Sequence, residues 1–269
     1  MSYPVFLGAI VVGDTNNTIR ITENGTGYDA VIANGTYFLS GDGGGDDICL
    51  AIDDALEDAS ASGNTYGVTP SFSIDGSAIS CTVTIARSSG AHTISINWTH
   101  ANTTFDPTQI GFAGTADSTG GTSYASTLSP KSVWVSNEVY AALDLTTEHT
   151  AFSTRARSGR VHGGLRGSAY DVRFLQLQFL HAKRAHSANN TSDPSSGLDR
   201  FITRQLAGLR FQLHLASISS GTTLAQMSSL TEHGSCWLFD AEQVADYSPQ
   251  RMSPGVPLYS TSLRLLGYV

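Results

Sequence analysis

The sequence predicts a mainly β protein of the α+β class with two β-rich domains. Each domain is expected to be an antiparallel sheet, or a sandwich or barrel, with a short amphipathic helix packed on it. Glycine occurs 27 times and only 14% of the 269 residues are charged, which is typical of a chain with many turns. Apolar residues make up 40% of the chain, enough for a sizeable core. Short apolar–polar alternations recur between Gly-rich and Ser-rich segments, as in successive β-strands.

The first predicted domain covers residues 1–129 and is organised around the segment 27–59. This segment opens with a half-buried strand, because its apolar residues recur at every second position: Tyr28, Ala30 and Ile32. A Gly-rich loop follows the strand, and an amphipathic helix follows the loop.

The helix of the first domain is predicted over residues 46–60. Asp46 or Asp47 is a suitable N-cap, because its carboxylate accepts hydrogen bonds from the free amides of the first turn. Apolar residues at helical spacing are expected to face the sheet. Acids are expected to cover the exposed face, where nothing raises their pKa values: Asp53, Asp54, Glu57 and Asp58.

Further strands of this domain are predicted from alternating segments at residues 18–22, around Tyr66, at 79–85 and at 94–98. A turn at Asp75-Gly76 is expected to join the second of these strands to the third. Phe112 is predicted to pack on the preceding sheet, as the apolar anchor of a Gly/Ser/Thr segment. The composition changes near Ser129-Pro130, and this change is the predicted domain boundary.

The second predicted domain covers residues 130–269 and is again β-rich. A short helix is expected near residues 198–207, because apolar residues at helical spacing end there at a glycine. A change of phase near Phe174 predicts a bulge or a strand that is buried on both sides. Strands are predicted at residues 131–137, 170–179, 209–215, 235–240 and 258–269.

The formal net charge of −8 is unevenly distributed. The chain up to Lys131 contains 3 basic and 13 acidic residues, whereas the remainder contains 12 basic and 10 acidic residues. Surfaces of unequal charge can steer copies of a chain into head-to-tail packing, and simple solvation of each half is the alternative. Neither half has the dense basic patch of a nucleic-acid-binding protein, so no recognition of nucleic-acid sequence is expected.

No membrane insertion is expected, because no apolar stretch approaches the length that spans a bilayer. The first residues also lack the basic region of a secretory signal. The three cysteines are isolated and have no metal-like spacing, so reduced, buried thiols in a protein made in a cytoplasm are predicted: Cys49, Cys81 and Cys236.

No catalytic, cofactor or metal site is predicted. His181 and His186 flank a basic pair, but a zinc site requires further ligands that the sequence does not provide nearby. The Gly-rich loop offers carboxylates to Ca²⁺ but lacks the order of an EF-hand, so helix capping is the favoured explanation for Asp42, Asp46 and Asp47. The sequence also contains no Gly-x-Ser-x-Gly elbow and no phosphate-binding loop. The chain is therefore not expected to be an enzyme.

The order of these elements resembles a recurrent unit of tailed-bacteriophage virion proteins. The residues that carry this resemblance are Tyr28, Asn34-Gly35-Thr36-Tyr37, Asp46 to Ala59, Ile79 to Ile85, Ile94 to Trp98, Ile110-Gly111-Phe112 and Tyr124. In the second half, a strand, a helix, an Ala-Gly-Leu-Arg-Phe strand and a last strand are similar to the β-rich domains of phage tail-tube and distal-tail proteins. The resemblance rests on the pattern and on no signature residue.

The resemblance implies a ring, commonly hexameric, in which neighbouring subunits complete each other's sheets. It implies other phage tail proteins as partners, no cofactor, and a place in the phage tail after synthesis in the bacterial cytoplasm. The polar segment 181–197 is the candidate assembly loop, with an ordinary surface loop as the alternative. The candidate contact residues are His181, Lys183, Arg184, His186, Asn189 and Asp193.

The sequence thus leaves three hypotheses for function. The first is a tail or tail-tip (distal-tail or baseplate) structural protein that assembles with itself and with neighbouring tail proteins. The second is a capsid-decoration or receptor- and glycan-binding module, with Trp98, Trp134 and Tyr124 as recognition residues, although core packing is the favoured role for these aromatics. The third is a small hydrolase on a β scaffold, which requires a cleft with perturbed carboxylates or histidines.

Overall fold

The computed structural model of the chain describes residues 3–61, 63–75, 78–89 and 93–135 continuously, and nine separate strands after them. This described part is mostly β: it forms several antiparallel sheets and contains one α-helix. The β-rich class predicted from the sequence is therefore confirmed. The division into two domains, and a sandwich or barrel within each, stay predictions.

The first half contains eleven described strands, one α-helix and a short 3-10 helix at Pro107–Ile110. In chain order they are Tyr3–Gly8 (β1), Ile10–Val12 (β2), Thr18–Glu23 (β3), Thr26–Val31 (β4), Gly35–Tyr37 (β5), Ile48–Ala59 (α1), Tyr66–Asp75 (β6), Ala78–Arg87 (β7), Ile94–Ile96 (β8), Ser118–Gly121 (β9), Ser123–Ala125 (β10) and Val133–Val135 (β11). The described strands of the second half are Tyr140–Glu148 (β12), Ala151–Arg155 (β13), Val161–Leu165 (β14), Val172–His181 (β15), Phe211–Ala216 (β16), Ser228–Ser229 (β17), Trp237–Phe239 (β18), Asp246–Gln250 (β19) and Leu258–Gly267 (β20).

These strands pair in five sheets within the described residues. The largest has nine strands in the order β11-β1-β16-β18-β20-β15-β12, with β17 beside β16 and β19 beside β20. A four-stranded sheet has the order β4-β3-β8-β9, and a three-stranded sheet has the order β10-β7-β6. Two further pairs, β2-β5 and β13-β14, complete the set.

The helix α1 packs between the four-stranded and the three-stranded sheets, where it contacts β4 and β6. Asp47 caps it as predicted, and the Ser60 amide ends it by donating to the carbonyls of Leu56 and Glu57. One face of the helix is buried in the core, as its spacing predicts: Ile48, Cys49, Ile52, Ala55 and Leu56.

The predicted hairpin and apolar anchor of the first half are both confirmed. In the hairpin, β6 and β7 pair antiparallel up to Asp75 and Ala78, and Gly76 of the predicted turn lies outside the described residues. The Phe112 ring lies 5.0 Å from the Trp98 ring, measured between centroids. Gly111, which precedes Phe112, adopts a φ of +87°. A Cβ there would lie 2.4 Å from the Leu128 carbonyl oxygen, so only glycine fits.

The first strand lies in the largest sheet, between strands that are remote in sequence. Phe6 on β1 is opposite Trp134 on β11 and Leu213 on β16. Its ring is fully buried, 4.9 Å from the Trp134 ring and 5.7 Å from the ring of Phe211. Residues 3–8 therefore share a sheet with strands that follow the predicted boundary at residue 129.

The second half differs from the prediction in two places. β12, β13 and β14 occupy a stretch in which no strand was predicted. β13 and β14 lack apolar alternation and are defined by their mutual pairing, whereas β12 alternates at Ala141, Leu143 and Leu145, a signal that was missed. β15 continues to His181, which pairs with Tyr259 and is not part of a loop. The pairing is regular through Phe174, so the bulge is not there, and the nearest irregularity lies on β12 near Tyr140. Burial of this strand on both sides, the alternative, stays a prediction, because it concerns side chains outside those that the structure describes. The helix predicted near residues 198–207 lies outside the described residues.

Ile52 lies on the buried face of α1, and its side chain is fully buried. Replacing it by alanine is therefore expected to lower the free energy of unfolding by about 2–5 kcal/mol. Urea unfolding followed by circular dichroism measures the loss. Val11→Ala is the control, since Val11 is 51% exposed and its truncation is expected to change stability by less than about 0.5 kcal/mol. Equal losses for the two variants would contradict the described position of the helix.

Candidate functional site

The Asp47 carboxylate organises the junction between the Gly-rich loop and α1. Its Oδ1 accepts a hydrogen bond from the Cys49 amide at 2.9 Å, and its Oδ2 accepts one from the Gly43 amide at 3.0 Å. Burial raises the pKa of Asp47 and the charge of Asp42 adds to this, whereas hydrogen bonds from the Gly43, Cys49 and Gly41 amides lower it. Asp47 is a buried cap, and both of its oxygens are occupied by the loop and the helix.

The other two carboxylates of the loop also have protein partners. Asp42 accepts hydrogen bonds from the Gly44 amide and the Ser40 hydroxyl, both at 2.9 Å. Asp46 accepts one from the Gln212 side-chain amide at 3.2 Å, which connects the loop to β16. Among the residues that the structure describes, no group of three or more His, Cys, Asp or Glu side chains is arranged to hold a metal ion. Capping, the favoured explanation for Asp47, is confirmed.

A second carboxylate, Glu23 at the end of β3, lies at the centre of a buried polar network. It is 1% exposed and accepts hydrogen bonds from the Ser60 hydroxyl and the Asn64 side-chain amide, each at 3.0 Å. The Tyr66 hydroxyl also donates to it. The network therefore joins the end of α1, the loop after the helix and the start of β6 to a strand of the four-stranded sheet.

The protonation of Glu23 follows from these contacts. Burial alone raises its pKa, but the hydrogen bonds from Tyr66, Asn64 and Ser60, together with the charge of Arg87, lower it below the ordinary value. Burial and the bond to the carboxylate raise the pKa of Tyr66, so its hydroxyl remains a donor. Sequence reasoning missed this network, although the alternation of β3 carries the signal by placing Glu23 on the same face as Ile19 and Ile21.

Asp53 departs from the sequence prediction for the acids of α1. It is half-buried, and its Oδ1 atom is buried without a hydrogen-bond donor among the described residues. Burial raises the pKa of Asp53 to about 6, and the charges of Glu57 and Asp54 add to the effect. The prediction of an unperturbed acid was wrong here, because Asp53 lies at the border of the exposed face. Asp54, Glu57 and Asp58 are exposed as predicted.

A groove of about 360 Å³ runs along α1, and we call it the helix groove. One wall is the helix surface formed by Leu50, Ala51, Asp54, Ala55 and Asp58. The opposite wall is formed by Val31, Ala33 and Tyr37, and the end near the helix start by Gly44, Gly45 and Asp47. Its volume is at the lower end of the range for ligand-binding pockets.

The helix groove combines an apolar lining with negative charge. Its carboxylates belong to Asp47, Asp54 and Asp58, and among the residues that the structure describes no Lys, Arg or His side chain lines it. Val31 at its opening is 57% exposed, which is unusual for a large apolar side chain in this part of the chain. The Tyr37 hydroxyl is turned to the Ala33 carbonyl at 2.8 Å, which fixes that wall. This arrangement suits an elongated group with a positive charge and an apolar stem.

The aromatic residues considered for glycan recognition do not form an exposed platform. Trp98 and Trp134 are buried, as core packing predicts, and Trp98 Nε1 donates to the Ser118 hydroxyl at 3.2 Å. Tyr124 is half-buried, and its hydroxyl accepts from the Gly121 amide at 2.7 Å and donates to the Ile94 carbonyl. Trp98 and Tyr124 therefore stabilise the structure around β8 and β10, and Trp134 packs on Phe6 in the largest sheet.

The structure describes two of the three cysteines, and both are buried thiols. Cys49 and Cys81 are free and buried as predicted, and burial raises the pKa values of both thiols, which makes them poor nucleophiles. Cys236 lies outside the described residues.

Of the candidate assembly residues, His181 is the last residue of β15, and the other five lie outside the described residues: Lys183, Arg184, His186, Asn189 and Asp193.

No protein-family model matches the chain, and comparisons with curated proteins and with solved structures likewise found no match. The resemblance to phage virion proteins therefore stays a prediction. Within the described residues, no helix has both the length and the apolar character required to cross a membrane.

Replacing Glu23 by glutamine is expected to lower the free energy of unfolding at neutral pH by about 2–3 kcal/mol, because the amide accepts these hydrogen bonds less strongly than a carboxylate. The pKa of Glu23 is lowered by folding, so its contribution is present above the unfolded pKa and is lost as the pH falls through the folded pKa. The difference between wild type and variant should narrow in acid, as measured by urea unfolding at several pH values. Glu57→Gln, which keeps the acceptor for the Tyr66 amide, is the matched control.

Replacing Asp53 by asparagine is expected to stabilise the protein above pH 6 by roughly 1 kcal/mol, a value reduced for partial exposure. Folding raises the pKa of this carboxyl from 3.8 to about 6, so the wild type loses stability as the pH rises through that window. Thermal unfolding at pH 4 and pH 7.5 should show a gain only at the higher pH. A gain of equal size at both values, or an equal gain for the exposed Asp58→Asn, would contradict this assignment.

Proposed function

We propose that the chain is a structural component of a tailed-bacteriophage particle, in its tail or tail tip. In this role it assembles into a ring with copies of itself and contacts neighbouring tail proteins. The resemblance of its element order to tail-tube and distal-tail proteins supports the proposal, and so does its predominantly antiparallel β structure.

The observation that carries the proposal is an open sheet edge on the acidic half of the chain. Among the described strands, β4 pairs with β3 on one side only, and Val31 at its end is 57% exposed. An exposed edge presents backbone amides and carbonyls that another chain can satisfy, and proteins that act as monomers usually protect such edges. Exposed edges are thus consistent with a subunit that completes its surface by assembly.

The charge distribution supports a head-to-tail arrangement of the copies. The chain up to Lys131 has 10 more acidic than basic residues, whereas the remainder has 2 more basic than acidic residues. A contact between two different surfaces of the same chain is heterologous, and it produces a closed ring when the rotation between copies closes. A decoration or glycan-binding role has less support, because Trp98 and Trp134 are buried.

Multi-angle light scattering of the purified chain over a wide range of concentrations tests the proposal. We expect a mass that is a multiple of the 28.4 kDa chain, and negative-stain images that show closed rings or short stacks. Because attraction between charged surfaces is screened by salt, the mass should decrease at high ionic strength. A strict monomer at every concentration and salt would contradict self-assembly.

A further inference from the structure

We infer that the open edge of β4 and the helix groove together bind an extended segment of a partner protein that carries Lys or Arg at alternate positions. The backbone of this segment adds a strand to β4, and its cationic side chains enter the helix groove. The inference rests on the proposed function in one respect, the open edge of β4, and it adds the chemistry of the chain that completes this edge.

The free backbone groups of β4 follow from the turn that precedes the strand. Glu23 pairs with Thr26 across two turn residues, 24 and 25, which both have a positive φ. The closing pair of such a hairpin is hydrogen-bonded, so the amides and carbonyls of alternate residues of β4 face β3. The groups that face away from β3, and that have no backbone partner among the described residues, belong to Gly27, Asp29 and Val31.

The helix groove lies beside this edge. Val31 is the last residue of β4 and also lines the groove. The helix contacts β4 and runs in the opposite direction. Ser60, after the end of α1, bonds Glu23 next to the start of β4, whereas Asp47 at the helix start pairs with Phe38, which follows β4 in the chain. A strand added to β4 would therefore run alongside α1.

The side chains of an added strand would reach the groove at every second position. Ala30 of β4 and Ile52 of α1 belong to the same buried core, so α1 packs on the face of the sheet that carries Ala30. Side chains of a strand alternate between the two faces, and those on this face would point to α1. The groove offers them apolar contact from the helix: Leu50, Ala51 and Ala55.

Two carboxylates of the groove are available to a cation. No ion pair among the residues that the structure describes involves Asp54 or Asp58, and both side chains are exposed. Both lie in the C-terminal half of α1, where the helix dipole adds negative potential. The last turn of α1 contains no basic residue that would offset this potential. The groove therefore attracts positive charge at this end.

The spacing of these carboxylates matches that of an extended chain. Asp54 and Asp58 are four residues apart on a helix, which corresponds to a rise of about 6 Å. Alternate residues of a strand point to the same side and are about 6.6 Å apart. Lys or Arg at positions i and i+2 of the added strand can therefore each meet one carboxylate, while their apolar stems contact the groove wall.

The open edge favours a polypeptide over a small cation. A polyamine has the charge to neutralise Asp54 and Asp58, but it has no backbone amides and carbonyls for β4. In strand addition, backbone hydrogen bonds provide affinity and pockets for alternate side chains provide specificity. The β4 edge supplies the first and the helix groove the second.

Fluorescence anisotropy with the full chain and the labelled peptide Thr-Val-Lys-Val-Lys-Val-Thr tests the inference. We expect saturable binding that weakens as the salt concentration rises, because ion pairs near a surface are screened. The permuted peptide Thr-Val-Val-Lys-Lys-Val-Thr has the same composition but places its lysines on opposite faces of a strand. It is expected to bind about fivefold more weakly, since only one lysine then meets the groove. Equal affinities for the two peptides would overturn the inference.

A pair of helix variants tests the groove. Asp54→Asn combined with Asp58→Asn removes both charges and is expected to weaken binding of the first peptide by about tenfold. Glu57→Gln is the matched control, because Glu57 is exposed on the same helix and does not line the groove. We expect this control to bind the peptide like the wild type. Unchanged binding by the folded double variant would overturn the inference.

A pair of strand variants tests the edge. Val31→Pro removes an amide that faces away from β3, so the pairing of β3 and β4 stays intact. Loss of this donor, together with the bulk of the ring, is expected to weaken peptide binding by about tenfold. Val31→Ala also shortens the side chain but keeps the amide, so it should retain most of the affinity. Circular dichroism reports whether each variant is folded, and the comparison of the two peptides requires no variant.

The outcomes separate this inference from the proposed function. If the wild type binds neither peptide, or binds spermidine as tightly as the first peptide, the inference is overturned, whatever mass light scattering gives. If the wild type assembles and peptide binding ignores the groove and edge variants, the inference is overturned and the proposed self-assembly stands. If the chain is a monomer that binds the first peptide with the expected variant effects, the inference stands and the proposed ring fails.

Discussion

The buried carboxylate of Glu23 determines where α1 lies, and the rest of the first half depends on that position. Donors from Ser60, Asn64 and Tyr66 converge on the end of β3, so the end of the helix is held by a group that belongs to a sheet. A carboxylate removed from water is stable only when its oxygens are hydrogen-bonded, and displacing the helix end would remove these bonds together. Because this contact holds one end of the helix and the Asp47 cap holds the other, the wall of the helix groove has a defined position.

The features that could be predicted from the sequence are those with local causes. The start of α1 depends on a side chain two residues from the amide that it caps, and the first helical residue, Ile48, is within two positions of the prediction. The β6–β7 hairpin was predicted from strands on both sides of Asp75-Gly76, and these strands pair antiparallel. The spacing of Ile94, Ile96 and Trp98 places them on one face, and all three are buried. In each case the residues that decide the structure are close in the sequence.

The remaining features depend on contacts between distant segments. The helix groove brings together residues 31–37, 44–47 and 50–58, and no single segment carries its signature. Glu23 and Asp53 are ordinary carboxylates in the sequence, and their pKa values are shifted only when the packing of other elements removes them from water. β13 and β14 lack apolar alternation, and only their mutual pairing identifies them as strands. Among the groove residues, Asp47 was correctly singled out as a cap and Asp54 and Asp58 as exposed, because capping and helical spacing are local.

The position of β1 also has a consequence for the order in which the chain folds. Its six residues pair along their whole length with β16, so Gly8 is opposite Phe211 although the two are separated by most of the sequence. Contacts between such remote segments form slowly, because a long loop must close before the pairing stabilises it. On the ribosome, β1 has one side without its final neighbour until residues 211–216 have been synthesised. Completion of the largest sheet is therefore a late event in biosynthesis, and until then the backbone amides and carbonyls on that side of β1 lack their final partners.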